Sequence, residues 1–289
     1  MLTRLAVGLL WLLRFLPLPL LALIGAGLGR LGYHLIHERR RVCLTNLAKC
    51  FPDMPEHERV ALAKRHFAAV GQALFDHGIL FWSSARRIKR LVRIVNPERF
   101  AESLSKPTIL LAPHFVGLDA GATRLSIESE AVSMYANQKD PFINDLLRRH
   151  RSRFKPVRLF SRQDGIRPVI REMRKCLPFY YLPDQDYGPR DSVFVPFFGV
   201  SAATITGVSR VAQLAHAQVV PAVTRMLPGG RGYEVRVYPA WKDFPSGDLE
   251  ADARRMNAFI EERILEMPEQ YNWMHKRFKT RPPGEARFY

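Results

Sequence analysis

The sequence predicts an α/β fold with a mixed central sheet flanked by helices and an N-terminal membrane-anchoring helix. Three observations carry this. The first 30 residues are almost uncharged, residues 56–78 read as an amphipathic helix, and from about residue 106 short apolar runs alternate with amphipathic segments. The 289 residues are 47% hydrophobic and 25% charged, which suffices for a large core and excludes disorder as the dominant state.

Residues 5–29 hold a single charge, Arg14. As a helix they would reach about 37 Å, enough to cross a bilayer core. Pro17 and Pro19 are expected to kink it. A membrane anchor (spanning or lying in the interface), a buried soluble helix and a cleaved leader all fit. The following Arg30, Arg39, Arg40 and Arg41 favour the anchor, with the body on the cytoplasmic side. The division is then 1–36 as anchor and 37–289 as the folded domain, the anchor packing on the body. The GxGxxG at Gly27, Gly29 and Gly32 lies in this helical run with no strand before it. It reads as helix-packing glycine, not as a dinucleotide fingerprint.

Residues 56–78 form an amphipathic pattern with Val60, Leu62, Ala63, Phe67, Val70, Leu74 and Phe75 on one face. Beyond it, strands are expected at 108–112, 131–136, 178–182, 193–198, 218–223 and 233–238. Helices are expected near 119–127, 140–153, 164–175, 203–216 and 249–267. Asp140-Pro141 reads as an N-cap followed by proline in the first turn.

His114 falls at the carboxyl end of a strand, where α/β sheets place ligands, and Asp119 follows five positions later. On one helix that spacing is about 140° out of phase. Across a strand-to-helix bend, Asp119 can return to accept the Nδ1 proton and leave Nε2 as a general base. A buried histidine bonded to a helix-start carboxylate is the plainer alternative. No GxSxG elbow, Walker A loop or HExxH helix occurs, and the acidic run at Asp184 lacks EF-hand spacing. A base without a nucleophile suggests direct attack by a substrate alcohol on an activated acyl group such as a thioester. No metal or cofactor is expected. Cys43, Cys50 and Cys176 form no CxxC and read as packing residues.

The net charge of +17 predicts an anionic partner. Arg148, Arg149, Arg151, Arg153, Lys155, Arg158 and Arg162 occur without an intervening acid. They form either a solvated face or a phosphate- or carboxylate-binding cluster, for which arginine is suited. Arg151 sits at the border of the apolar face, and helical phase does not separate it from Arg153. The loop from Asp184 through Asp186 to Arg190 follows a strand and is either a site loop or a plain acidic turn. Nucleic acid is disfavoured as the partner, because no helix-turn-helix, zinc finger or RNP motif is present.

Several motifs together carry a resemblance. They are Asn46-Leu47 with Phe51-Pro52, the HxxxxD box, Asp140-Pro141 through Arg151, Pro183 through Arg190, Val193 through Phe198, and Glu269 through Pro282. Over nearly its whole length the chain resembles the late acyltransferases of lipid A biosynthesis, within the lysophospholipid-acyltransferase-like superfamily. The Asp-Gln-Asp loop and the Trp-x-His-x-Arg-Phe-Lys ending are the specific features. The resemblance implies acyl transfer from acyl carrier protein to a hydroxyl of a Kdo-bearing lipid A precursor at the cytoplasmic face of the inner membrane. It implies His114 as base with Asp119 as its catalytic partner, and Arg151 and Asp184 as further site positions; Asp186 and Arg190 of the same loop are expected to bind substrate. Many members carry Glu at the position of Asp119. A lysophospholipid or another glycolipid is the alternative acceptor.

Overall fold

The computed structural model describes residues 2–289. In chain order the elements are α1 (Leu2–Leu13), α2 (Leu18–Leu35), α3 (His37–Cys50), α4 (Glu56–Trp82), α5 (Ala85–Leu91), β1 (Val92–Val95), α6 (Pro97–Ser103), β2 (Thr108–Leu111), α7 (Leu118–Leu125), β3 (Ala131–Tyr135), α8 (Pro141–Arg151), β4 (Val157–Ser161), α9 (Arg167–Met173), β5 (Phe179–Tyr181), β6 (Ser192–Phe197), β7 (Val200–Ile205), α10 (Gly207–Ala215), β8 (Gln218–Met226), β9 (Tyr233–Val237) and α11 (Leu249–Glu266).

Seven strands form one sheet in the order β1-β9-β8-β2-β5-β3-β4. Every neighbouring pair is parallel except β8 with β9. β2 at the centre is buried at all four positions, as its unbroken Thr-Ile-Leu-Leu run requires of a strand covered on both faces. The expected α/β architecture is therefore present. The run at 193–198 is an exception: it leaves the main sheet and pairs with β7 as a hairpin. Phe198 and Gly199 form its two-residue turn, both at positive φ, as a type I′ hairpin demands. Residues 203–205, expected as helix, belong to β7, and α10 starts only at Gly207.

The kink expected at Pro17 divides the N-terminal run into two helices, α1 and α2. At Gly25, Gly29 and Gly71, α2 lies against α4 with almost no side chain between them. A Cβ on Gly25 would stand 2.8 Å from the Gln72 backbone, one on Gly29 only 2.1 Å from the Phe67 carbonyl, and one on Gly71 only 2.2 Å from the Gly25 carbonyl. Of the GxGxxG glycines, Gly29 is in close backbone contact, whereas Gly27 faces open space. On α4 the predicted stripe holds at Leu62, Ala63 and Phe67, but Leu74 is exposed.

The same substitution should act oppositely at the two glycines. Gly29→Ala must force α2 off α4 and is expected to cost about 1–3 kcal/mol. Gly27→Ala removes backbone entropy at an open helical position and is expected to be neutral or to stabilise by up to about 1 kcal/mol. Thermal unfolding of both purified variants measures the difference.

Candidate active site

β2 and β5 are parallel neighbours with Leu111 opposite Tyr181. The Ala112 N–H donates to the Tyr181 carbonyl at 2.9 Å, one residue past the ladder. Each strand is then ended by a proline, Pro113 and Pro183, which has no N–H to continue the pairing. The next residues are His114 and Asp184. Extending the register by three therefore places these two side by side.

The Asp184 carboxylate receives both donors of His114. Oδ2 accepts the His114 backbone N–H at 2.9 Å, and Oδ1 lies 2.7 Å from the ring Nδ1. An ionised carboxylate only accepts, so Nδ1 carries a proton, and in its neutral form the ring has its lone pair on Nε2. Asp184 is 1% exposed. Burial pushes its carboxyl up, but the charge and the two hydrogen bonds of His114 outweigh this and hold it below the ordinary carboxylate range.

Asp119 takes a different partner from the one expected. It was the expected acceptor of the His114 Nδ1 proton, but Asp184 occupies that position and Asp119 Oδ2 lies 3.2 Å from Nε2 of His77 on α4. The helix starting at Leu118 carries Asp119 in its first turn, toward α4 rather than back over the ring. Nδ1 of His77 faces the Ala73 carbonyl at 2.8 Å. Both neighbours of the His77 ring are acceptors, so the ring must be protonated on both nitrogens. Burial lowers the affinity of His77 for that proton, but the hydrogen bond and charge of Asp119 raise it above the ordinary value. Burial likewise raises Asp119, and His77, Arg151 and His114 together bring it down to about 2. Asp119 is thus a fixed anion beside the dyad. His77 carries no motif of its own, and nothing in the sequence singles it out.

His114 and Asp119 lie on the wall of a cavity of about 750 Å³. Its lining is mainly apolar, including Leu110, Leu118, Met134, Leu147 and Leu159. Ligand pockets of roughly 300–1,000 Å³ commonly combine such walls with a few polar groups. Arg151 and Arg190 line the same cavity. The Arg190 side chain is 95% exposed. Arg153 diverges from Arg151: it donates to the Ser83 carbonyl at 2.7 Å and stacks on Phe154 at 3.9 Å. Arg149 pairs with Asp145, and Arg158 pairs with Glu172. The side chain of Arg162 lies outside the described residues. Of the described members of the basic run, Arg151 is the one that lines the cavity.

Asp186 was expected to bind substrate, but its carboxylate is consumed inside the protein. It accepts from the Gly188 N–H at 2.9 Å, the Thr280 N–H at 2.6 Å and the Thr280 hydroxyl at 2.8 Å, and is 2% exposed. It ties the loop to the C-terminal segment. That segment also grips the dyad from the other side. The Val116 N–H donates to the Gln270 carbonyl at 2.8 Å, and the Asn272 N–H to the His114 carbonyl at 3.1 Å. His275 Nε2 accepts the Asp186 N–H at 3.1 Å, and burial lowers this imidazole to about 4. Arg277, buried, donates to the Ala203 carbonyl at 2.8 Å. The Trp-x-His-x-Arg ending is therefore a brace. Among the described residues, no group of three or more His, Cys, Asp or Glu is arranged to hold a metal ion.

Comparison with known proteins agrees with this architecture. Residues 1–280 match the family of bacterial lipid A biosynthesis acyltransferases. The chain is 37% identical over 286 residues to a lipid A biosynthesis lauroyltransferase of Escherichia coli, covering 98% of this chain and 93% of the relative. It is 35% identical to an Escherichia coli lipid A biosynthesis myristoyltransferase, over 94% of this chain and 83% of the relative. It is 29% identical to a palmitoleoyltransferase of the same pathway and organism, over 100% and 94%. With a family match over almost its entire length and a relative 37% identical over 98% of it, the chain belongs to the bacterial lipid A biosynthesis acyltransferases.

Proposed function

We propose that this acyltransferase moves a fatty acyl chain from acyl carrier protein to a hydroxyl of a Kdo-bearing lipid A precursor, on the cytoplasmic face of the inner membrane. The observation that carries the reading is His114, held by the buried Asp184, on the wall of an apolar cavity. The cavity suits an acyl chain, and the dyad suits removal of a proton from an alcohol. Nε2 of His114 takes the proton of the acceptor hydroxyl as its oxygen attacks the thioester carbonyl. The carbon–sulfur bond then breaks, and the departing thiolate receives that proton from the imidazolium. Asp184 fixes the tautomer and stabilises the imidazolium formed in between. No covalent enzyme intermediate is needed.

Asp119 acts in this scheme through charge. It remains ionised, with Arg151 within electrostatic reach. Arg151 and the exposed Arg190 offer guanidinium groups to the anionic acceptor. The basic excess of the chain suits both an acidic carrier protein and an anionic bilayer. Incubating the purified protein with acyl carrier protein thioesters, the lipid A precursor and a lysophospholipid tests the assignment. One added acyl group on the precursor is expected by mass spectrometry. Acylation of the lysophospholipid alone overturns the acceptor, and no use of the carrier thioester overturns the donor.

Two predictions concern the ionic pairs. His114→Ala and Asp184→Asn are each expected to lower kcat by about 10²–10⁴-fold, the range of general-base catalysis. Their double variant should be no slower than the worse single one, as groups acting as a unit behave. The second concerns His77. Its pKa is raised on folding, so it contributes stability fully present below about pH 6.5, the unfolded value. That contribution is lost as pH rises through the raised folded value. The stability gap between wild type and His77→Gln should therefore shrink on going from pH 6 to pH 9, as measured by denaturant unfolding. A gap that widens with pH contradicts a charged His77.

A further inference from the structure

α2 carries two apolar stripes, and protein covers one of them. Leu18, Leu21, Ala22, Gly25 and Tyr33 are buried. Along this stripe Leu18 and Leu21 join the core cluster of Ile79 and Leu80, Gly25 meets Gln72, and Tyr33 packs on Phe67 at 5.4 Å. Those partners all belong to α4, so α2 adheres to α4 over its whole length. The opposite stripe is bare. Leu20, Leu23, Leu28, Leu31 and Leu35 are 43–67% exposed. On α1, Leu5, Leu9 and Leu12 are 54–63% exposed at helical spacing. No acid occurs in residues 1–37, while Arg4 and Arg30 are exposed. Arg14 is turned inward, donating to the Trp82 carbonyl at 3.3 Å and lying 4.5 Å from the Trp11 ring. A bare leucine surface flanked by cations and free of acids matches an anionic phospholipid bilayer.

By length and composition α2 is a candidate membrane span. Its attachments argue otherwise. α4 is bound into the α/β body: Tyr233 donates to Asp76, His77 bridges to Asp119, and the His66 ring meets the Glu269 carbonyl at 2.9 Å. Standing α2 along the bilayer normal would carry α4 with it and bring Asp76 and His77 to the depth of the acyl chains, where charged groups are costly. We propose that α1 and α2 lie in the plane of an anionic bilayer as a monotopic face, with the leucine stripe in the acyl region and α2 not crossing. This inference rests on the membrane reading given under the proposed function.

The placement has a consequence for access. α1 reaches α8 through Arg4, which lies 5.6 Å from the Phe142 ring, and meets α4 where Gly78 approaches the Leu10 carbonyl. Phe81 of α4 and Leu147 and Arg151 of α8 line the cavity. The membrane face therefore adjoins the cavity wall, so that a lipid acceptor reaches His114 sideways with its acyl chains still in the bilayer.

Nitroxide depth measurement on the full-length protein tests the proposal. Cys43 and Cys50 are buried and Cys176 is replaced by Ser. Single Cys residues are placed at Leu20, Leu23, Leu28, Leu31 and Leu35, and the labelled proteins are bound to phosphatidylethanolamine–phosphatidylglycerol vesicles. Fifteen residues of helix separate Leu20 from Leu35, about 22 Å along the axis. An in-plane helix gives five equal depths, to within about one helical turn of 5.4 Å. A crossing helix gives a profile deepest near Leu28 and shallow at both ends, which overturns the in-plane proposal and keeps the membrane reading. Labels that remain fully accessible to a water-soluble nickel chelate with vesicles present overturn the membrane reading itself. In support, Leu23→Asp combined with Leu31→Asp should weaken vesicle binding at least tenfold without altering the circular dichroism spectrum.

Discussion

The structure depends on one buried carboxylate being fully engaged. Asp184 is almost completely withdrawn from solvent, and an ionised carboxylate in that position is tolerated only when hydrogen-bonded and paired. His114 supplies a ring N–H and a backbone N–H to it. Both must arrive from the tip of the neighbouring strand, so the pairing of β2 with β5 cannot slip. A slip of one residue would turn the opposing side chains to the other face and leave the charge unpaired. This explains how much of the chain is spent on holding the two tips. The C-terminal segment pairs Tyr271 with Phe115 behind the histidine. Asp186, Thr280 and His275 fasten the loop that carries Asp184. These contacts hold the two strand tips in place.

A second ionic pair stands beside the first. In the proposed reaction His114–Asp184 changes protonation, because its imidazole receives and returns a proton. His77–Asp119 is arranged against change: a carbonyl and a carboxylate bracket the imidazolium, and neighbouring positive charge keeps Asp119 ionised. One HxxxxD box therefore contributes to both pairs, with its histidine bound to Asp184 and its aspartate to His77. α4 links this static pair to the N-terminal helices. One stretch of it meets Gly25 and Gly29, and His77 lies about two turns beyond.

The architecture was legible where burial dictates composition. β2 is a short buried run and was readable as a strand, and Asp140 caps α8 through the Phe142 N–H as its position before Pro141 indicates. The short edge strands were not. Val92–Val95 and Val157–Ser161 interleave arginine with apolar residues, which suits a half-exposed edge and resembles any basic loop. Within the site, His114 was readable from its place at a strand end. Its true partner was not, because Asp184 is 70 residues away and only sheet order makes it a neighbour. One trace existed: both strands end in a residue followed by Pro and then the functional side chain, Ala112-Pro113-His114 and Leu182-Pro183-Asp184. Reading it required knowing that β2 and β5 are adjacent and in register.

The net charge of +17 gave the least information about the site, and the reason is physical. Most cations of the basic run are engaged locally: Arg149 with Asp145, Arg158 with Glu172, Arg153 with the Ser83 carbonyl. Their charge adds to the long-range field, which steers anionic partners and is screened within about 10 Å at ordinary salt. Close recognition needs a guanidinium that is not already committed and faces the cavity. Arg151 and Arg153 differ by two positions, yet one turns to the cavity and the other to the end of α4. α8 ends at Arg151, and the chain turns at Ser152 before Arg153. Helical phase alone therefore could not assign the two. What separates them is the position of Ser83, whose carbonyl captures Arg153 and leaves Arg151 facing the cavity.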